Sequence, residues 1–194
     1  MKSFFTLTPG AIFLLSAIYF FGGLPCLAAM LISVCVHELG HASAIRLFGG
    51  RVHSLRFDSS GLCMDKSGAF TCAEELVAIM SGPAAGLLFA VLCAHFGKLS
   101  ELRFLNQTAA VSFALSVYNL VPALPLDGGR ALLLLLPCRI NGKKMMFFIG
   151  TAAGFVISVI GLALLNTAPG LALAAAGVWI VIAQTGLVKS MRML

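Results

Sequence analysis

The sequence predicts an all-α polytopic membrane protein with about six transmembrane helices and a small membrane-associated β-ribbon. Three observations carry that prediction. Hydrophobic residues make up 60% of the 194-residue chain and charged residues only 10%. The apolar residues gather into six stretches near the ~20 residues that a spanning helix needs. Threading those stretches through a bilayer puts nearly all the basic residues on one side. Mean hydropathy is +1.02. Globular chains carry about a quarter charged residues, and so few charges cannot cover a water-facing surface.

The six stretches are Pro9–Phe21, Pro25–Leu47, Glu75–Phe96, Phe104–Val121, Met145–Leu165 and Pro169–Val188. The first is short, but only Lys2 precedes it and no A-x-A site follows in Gly22–Cys26, so it reads as a retained helix rather than a signal peptide. With the N-terminus inside, Lys2, Arg46, Arg51, Arg56, Lys66, Arg130, Arg139, Lys143, Lys144, Lys189 and Arg192 fall on the cytoplasmic side. Only Lys98 and Arg103 fall outside. That bias predicts a multi-pass protein of the bacterial cell membrane with both termini cytoplasmic. The same clustering disposes of a nucleic-acid reading of the net charge of +6, because no contiguous basic face is visible.

Between the second and third stretches, Arg51–Thr71 alternates irregularly between apolar and polar residues. Asp58-Ser59-Ser60-Gly61 and Asp65-Lys66-Ser67-Gly68 are turn sequences. A β-hairpin or three-stranded ribbon against the membrane is expected there. The six cysteines contain no CxxC pair, and Cys26, Cys35 and Cys93 lie in apolar stretches where the thiol acts as a small hydrophobe. No structural disulfide is expected.

The chemistry is concentrated in two places. His37-Glu38-Leu39-Gly40-His41 is an HExxH motif on the second stretch. On a helix the two imidazoles lie one turn apart on the same face and can reach one ion, and the glutamate beside them can serve as general base. Zinc suits two histidines and a carboxylate, and it lowers the pKa of its water towards ~7. A chance match in a lipid-buried segment is disfavoured, because ionisable groups near mid-bilayer cost roughly 2.5–3.5 kcal/mol or more. His37 lies ten residues from Leu47, so about 15 Å deep.

The third ligand is sought in Asn119-Leu120-Val121-Pro122-Ala123-Leu124-Pro125-Leu126-Asp127-Gly128-Gly129. Asp127 is the only acid after Glu101. Pro122 and Pro125 prevent a regular helix and free backbone groups that only a protein-lined or wet cavity satisfies. Gly128 and Gly129 are expected to turn the chain sharply after the carboxylate. An ordinary Asp-Gly turn is the plain alternative, and the HExxH motif outweighs it. Asn119 is a candidate hydrogen-bond donor to a developing oxyanion, or else a tether of the broken loop. His53 and His95 have no second ligand near them in sequence and are not expected to bind the metal.

HELGH on an early helix, followed later by NxxPxxPxDGG, resembles the site-2 protease family of intramembrane zinc metalloproteases. The resemblance covers about Leu24 to Arg130. Gly82-Pro83-Ala84-Ala85-Gly86 is similar to the family's small-residue pattern on the intervening helix, whose physical role is tight packing. The resemblance implies a three-helix catalytic core, one zinc ion held by His37, His41 and Asp127, and catalysis by Glu38. It implies cleavage of transmembrane protein or peptide substrates within the bilayer. In build the chain resembles the short bacterial branch that includes sporulation-associated proteases. A single membrane-embedded domain over 1–194 is expected, with neither a PDZ nor a C-terminal regulatory domain, so regulation falls to the core or to a membrane-protein partner. A membrane metal-ion transporter using the same cluster as a transit site is the alternative of another class; no repeat relates the two halves of the chain.

Overall fold

The computed structural model describes residues 5–7, 9–58, 61–136 and 141–192. Lys2, the turn residues Ser59 and Ser60, and Cys138 and Arg139 lie outside the described residues. The elements in order are β1 (Phe5–Leu7), α1 (Pro9–Leu47), β2 (Arg51–Asp58), β3 (Gly61–Ser67), α2 (Cys72–Ser100), α3 (Arg103–Asn119), α4 (Asp127–Leu135), α5 (Gly142–Ala163) and α6 (Ala168–Arg192). They fall into two compact units, Met1–Val117 and Tyr118–Leu194.

In the first unit, the two leading apolar stretches form one helix, α1, broken by a kink. Gly23 sits at φ 69°, ψ −176°, a backbone region open to glycine and little else. Pro25 follows inside the helix and removes a hydrogen bond there. At its rise per residue the 39 residues of α1 would span about 58 Å, nearly twice a bilayer core. The kink falls where the sequence separates the first two stretches.

Among the described residues, three helical segments are long and apolar enough to cross a membrane, Ala11–Leu47, Cys72–Ser100 and Lys144–Ala163, with a shorter apolar helix at Gly170–Gly186. Large apolar side chains such as Phe13, Phe20, Leu88, Val91, Phe155 and Ile182 are exposed along these helices. In water that surface would drive aggregation; in a bilayer it is solvated. The chain is a membrane protein.

β2 pairs antiparallel with β3, from Arg51 opposite Ser67 to Asp58 opposite Gly61, with an irregularity between Val52 and Ser54. This is the ribbon expected over 51–71. Its third strand, however, is β1, which pairs parallel with β2 through Phe5–Leu55 and Leu7–Phe57. A three-residue strand is too short to leave a periodic signal. β2 is therefore central, and β1 and β3 are the edges.

α2 begins at a capping box. Glu74 N donates to Thr71 Oγ1 (3.3 Å), and Thr71 N donates to Glu74 Oε2 (2.8 Å), which satisfies donors that the first turn leaves free. Ala44 and Ile45 of α1 pack against Ala78 of α2, with Phe48, Val52 and Phe70 around them. α3 lies along α2, with Ser112 Oγ donating to the Gly86 carbonyl over 2.9 Å.

In the second unit, α5 and α6 pack through small residues. A Cβ on Gly177 would lie 2.5 Å from Ser158 N, and one on Gly154 would lie 2.9 Å from the Gly177 carbonyl. Such residues let helix backbones approach closely where no hydrophobic force drives helices together. Ala123 and Leu126 pack on Ile180 of α6, with Tyr118, Val121, Ile157 and Trp179 around them.

Candidate metal centre

His37 and His41 project from one face of α1, about 40° apart around the axis at 3.6 residues per turn. Their Nε2 atoms face each other at 3.2 Å. Two nitrogen ligands on a tetrahedral zinc at about 2.0–2.1 Å would stand about 3.3 Å apart. The pair is already at ligand spacing. His37 is 4% exposed and Glu38 beside it is half-buried.

The tautomer of His41 follows from its other nitrogen. Nδ1 lies 2.8 Å from the carbonyl oxygen of Ala78 on α2. A carbonyl only accepts, so Nδ1 carries the hydrogen and the lone pair of the neutral ring sits on Nε2, towards His37. Metal-ligating histidines are oriented by this kind of outer hydrogen bond. An imidazole pair with one ring fixed in its ligating tautomer fits a zinc ion.

α2 is shaped to receive that ring. A Cβ on Gly82 would lie 2.5 Å from His41 Cε1 and 2.6 Å from Cδ2. A Cβ on Gly86 would run into Ser116 Oγ. The small-residue pattern expected to serve helix packing therefore also provides the slot for an imidazole.

Asn119 and Asp127 belong to the second unit. Asn119 is the last residue of α3 and is half-buried. The segment after it folds on itself, with Val121 N donating to Tyr118 O (3.1 Å), Ala123 N to Val121 O (2.7 Å) and Leu126 N to Ala123 O (2.9 Å). The Leu124–Pro125 peptide is cis. Asp127, 6% exposed, opens α4, where the free backbone N–H groups of the first turn favour a carboxylate. Arg130 Nη1 stands 3.7 Å from its Oδ1.

Gly128 and Gly129 do not turn the chain; they are in α4, and neither is among the glycines with positive φ. They are small because a Cβ on Gly129 would lie 2.5 Å from the Ala123 carbonyl oxygen, and one on Gly128 would lie 2.8 Å from that of Val121. The first turn of α4 is pressed onto the proline segment.

His53 is exposed on β2, with Nε2 2.5 Å from Ser67 Oγ on β3. His95 is exposed near the end of α2, edge-on to Phe96 at 5.6 Å. Cys26, Cys35, Cys72 and Cys93 are free thiols.

Comparison with known proteins gives consistent results. No family model matches the sequence. A zinc metalloprotease of Methanocaldococcus jannaschii is 24% identical over 147 residues, which is 71% of this chain and 42% of that protein. Stage IV sporulation protein FB of Bacillus subtilis is 29% identical over 133 residues, 63% of this chain and 44% of that protein. The solved structure of a site-2 protease from Methanocaldococcus jannaschii superposes with a TM-score of 0.71 at 18% identity, covering 96% of this chain and 92% of that one. The chain spans less than half the length of the curated relatives it matches, and its fold is the site-2 protease fold. Nothing in these matches favours a transporter.

Proposed function

We propose that this chain is an intramembrane zinc metalloendopeptidase that cleaves membrane-spanning proteins or peptides. The observation that carries the proposal is the His37–His41 pair, with Nε2 atoms 3.2 Å apart and one ring held in its ligating tautomer. His37, His41 and Asp127 would hold the ion, a donor set that suits a catalytic zinc.

When bound, zinc lowers the pKa of a water and polarises the scissile carbonyl. Glu38 would take a proton from the attacking water as its oxygen adds to the carbonyl carbon, and pass that proton to the amine released when the C–N bond breaks. Asn119 donates a hydrogen bond to the oxygen on which negative charge develops. A substrate helix unwinds first, because helical peptide bonds are already hydrogen-bonded and are not open to attack. Since β2 is paired on both sides, an unwound strand adds at an outer edge of the sheet, at β3 or β1.

The catalytic residues belong to a single membrane-embedded domain of a bacterial multi-pass protein. Both termini are cytoplasmic and the site opens to that side, which the distribution of Lys and Arg supports. Glu38→Gln is expected to abolish cleavage of a reconstituted transmembrane substrate while keeping zinc bound. Cleavage at the wild-type rate by that variant would remove Glu38 from the mechanism.

A further inference from the structure

We infer that Gln184 of α6 is a positioning residue for the segment that carries Asp127. The inference rests on Asp127 being a zinc ligand. Gln184 is 0% exposed, and its Nε2 donates to the carbonyl of Leu124 over 2.5 Å, across 60 positions of sequence. Leu124 stands between the two prolines and three residues before Asp127.

A buried amide in an apolar helix is costly unless its hydrogen bonds are made. Gln184 makes only part of its set: among the described residues its Oε1 has no partner. A leucine or methionine would fill a similar volume without that cost, but only the amide supplies the donor to the Leu124 carbonyl. The neighbouring helix accommodates it. A Cβ on Gly150 of α5 would lie 2.7 Å from Gln184 Cδ and 2.8 Å from Oε1, so a glycine sits where the amide crosses.

One turn earlier on the same face of α6, Ile180 packs against Ala123 and Leu126. The proline segment is thus held by α6 at two points, one apolar and one a hydrogen bond to its backbone. Pro122 and Pro125 carry no N–H, so the short internal turns of the segment are supplemented by these contacts from α6. The first turn of α4 follows directly, pressed onto that segment at Gly128 and Gly129. Moving Leu124 moves Asp127.

The test measures zinc affinity of the full-length protein in detergent, by competition with a chromophoric chelator, together with the absorption spectrum of the Co(II)-substituted form. Gln184→Met is expected to weaken zinc by about tenfold or more, as loss of outer-shell support does, and to alter the Co(II) bands. Asp127→Ala weakens it further. If Gln184 acts through Asp127, adding Gln184→Met to Asp127→Ala costs nothing more; a purely structural contribution would add. Gly150→Ala crowds the amide without removing it and is expected to lower affinity several-fold in the same direction. Wild-type affinity and spectrum in Gln184→Met, or losses that add in the double variant, would overturn the inference while leaving Asp127 as a ligand. Unchanged affinity in Asp127→Ala would remove the ligand assignment and the inference with it. Should Gln184→Met fail to fold, wild-type affinity in Gly150→Ala overturns the inference alone.

Discussion

Gly82 of α2 lies directly beneath the imidazole of His41 on α1, so close that a Cβ there would run into Nε2 and stand 2.5 Å from Cε1. The ring is held on its other side by the Ala78 carbonyl, one turn earlier on α2. The second helix therefore fixes the orientation of an imidazole carried by the first.

Gly82→Ala is accordingly expected to displace His41 and cut zinc affinity by tenfold or more, with cleavage lost in parallel. Zinc competition titration checks it. Ala84→Leu, at an exposed position two residues away, is expected to leave affinity within a factor of two. Equal affinity in Gly82→Ala and wild type would mean that the slot has no role in ligation.

Removal of zinc with a strong chelator is expected to abolish cleavage, and restoring stoichiometric zinc to recover it. Because zinc at its ligands adds to the stability of the folded state by mass action, the thermal midpoint in detergent should fall on chelation. A chelated sample that still cleaves its substrate would exclude a zinc mechanism.

Arg130 holds its guanidinium 3.7 Å from the Asp127 carboxylate and is half-exposed. Only the Arg130 side of the pair is open to solvent, and 3.7 Å is longer than a hydrogen bond, so Arg130→Ala should change stability by about 1 kcal/mol or less. On the proposed ligation, removing a positive charge beside the Asp127 carboxylate should tighten zinc slightly or leave it unchanged. A tenfold loss of zinc in Arg130→Ala would contradict this.

Thr71→Ala removes one arm of the capping box at the start of α2. About 1 kcal/mol of stability is expected to go with it, read as a lowered thermal midpoint, while zinc affinity stays within twofold. A parallel loss of zinc would show that the site is coupled to the helix end.

Much of this was legible in the sequence, for identifiable reasons. HExxH is a local pattern: helical periodicity alone brings His37 and His41 to one face. The ribbon over 51–67 was marked by its turn residues, and Asp127 stood out as the lone acid after Glu101. What escaped were relationships set by tertiary packing. β1 is too short for a period. Gly128 and Gly129 read as a turn because close approach to the Val121 and Ala123 carbonyls leaves no trace in local composition. Gln184 looks like any polar residue near a helix end until its partner, 60 residues earlier, is seen.

The most direct test is the zinc K-edge absorption spectrum of the Glu38→Gln protein, with and without Asp127→Ala. The account expects a four-coordinate site with two imidazole nitrogens and a carboxylate oxygen at about 2.0–2.2 Å, and loss of the carboxylate contribution in the double variant. A spectrum unchanged by Asp127→Ala, or one without two imidazoles, would contradict it.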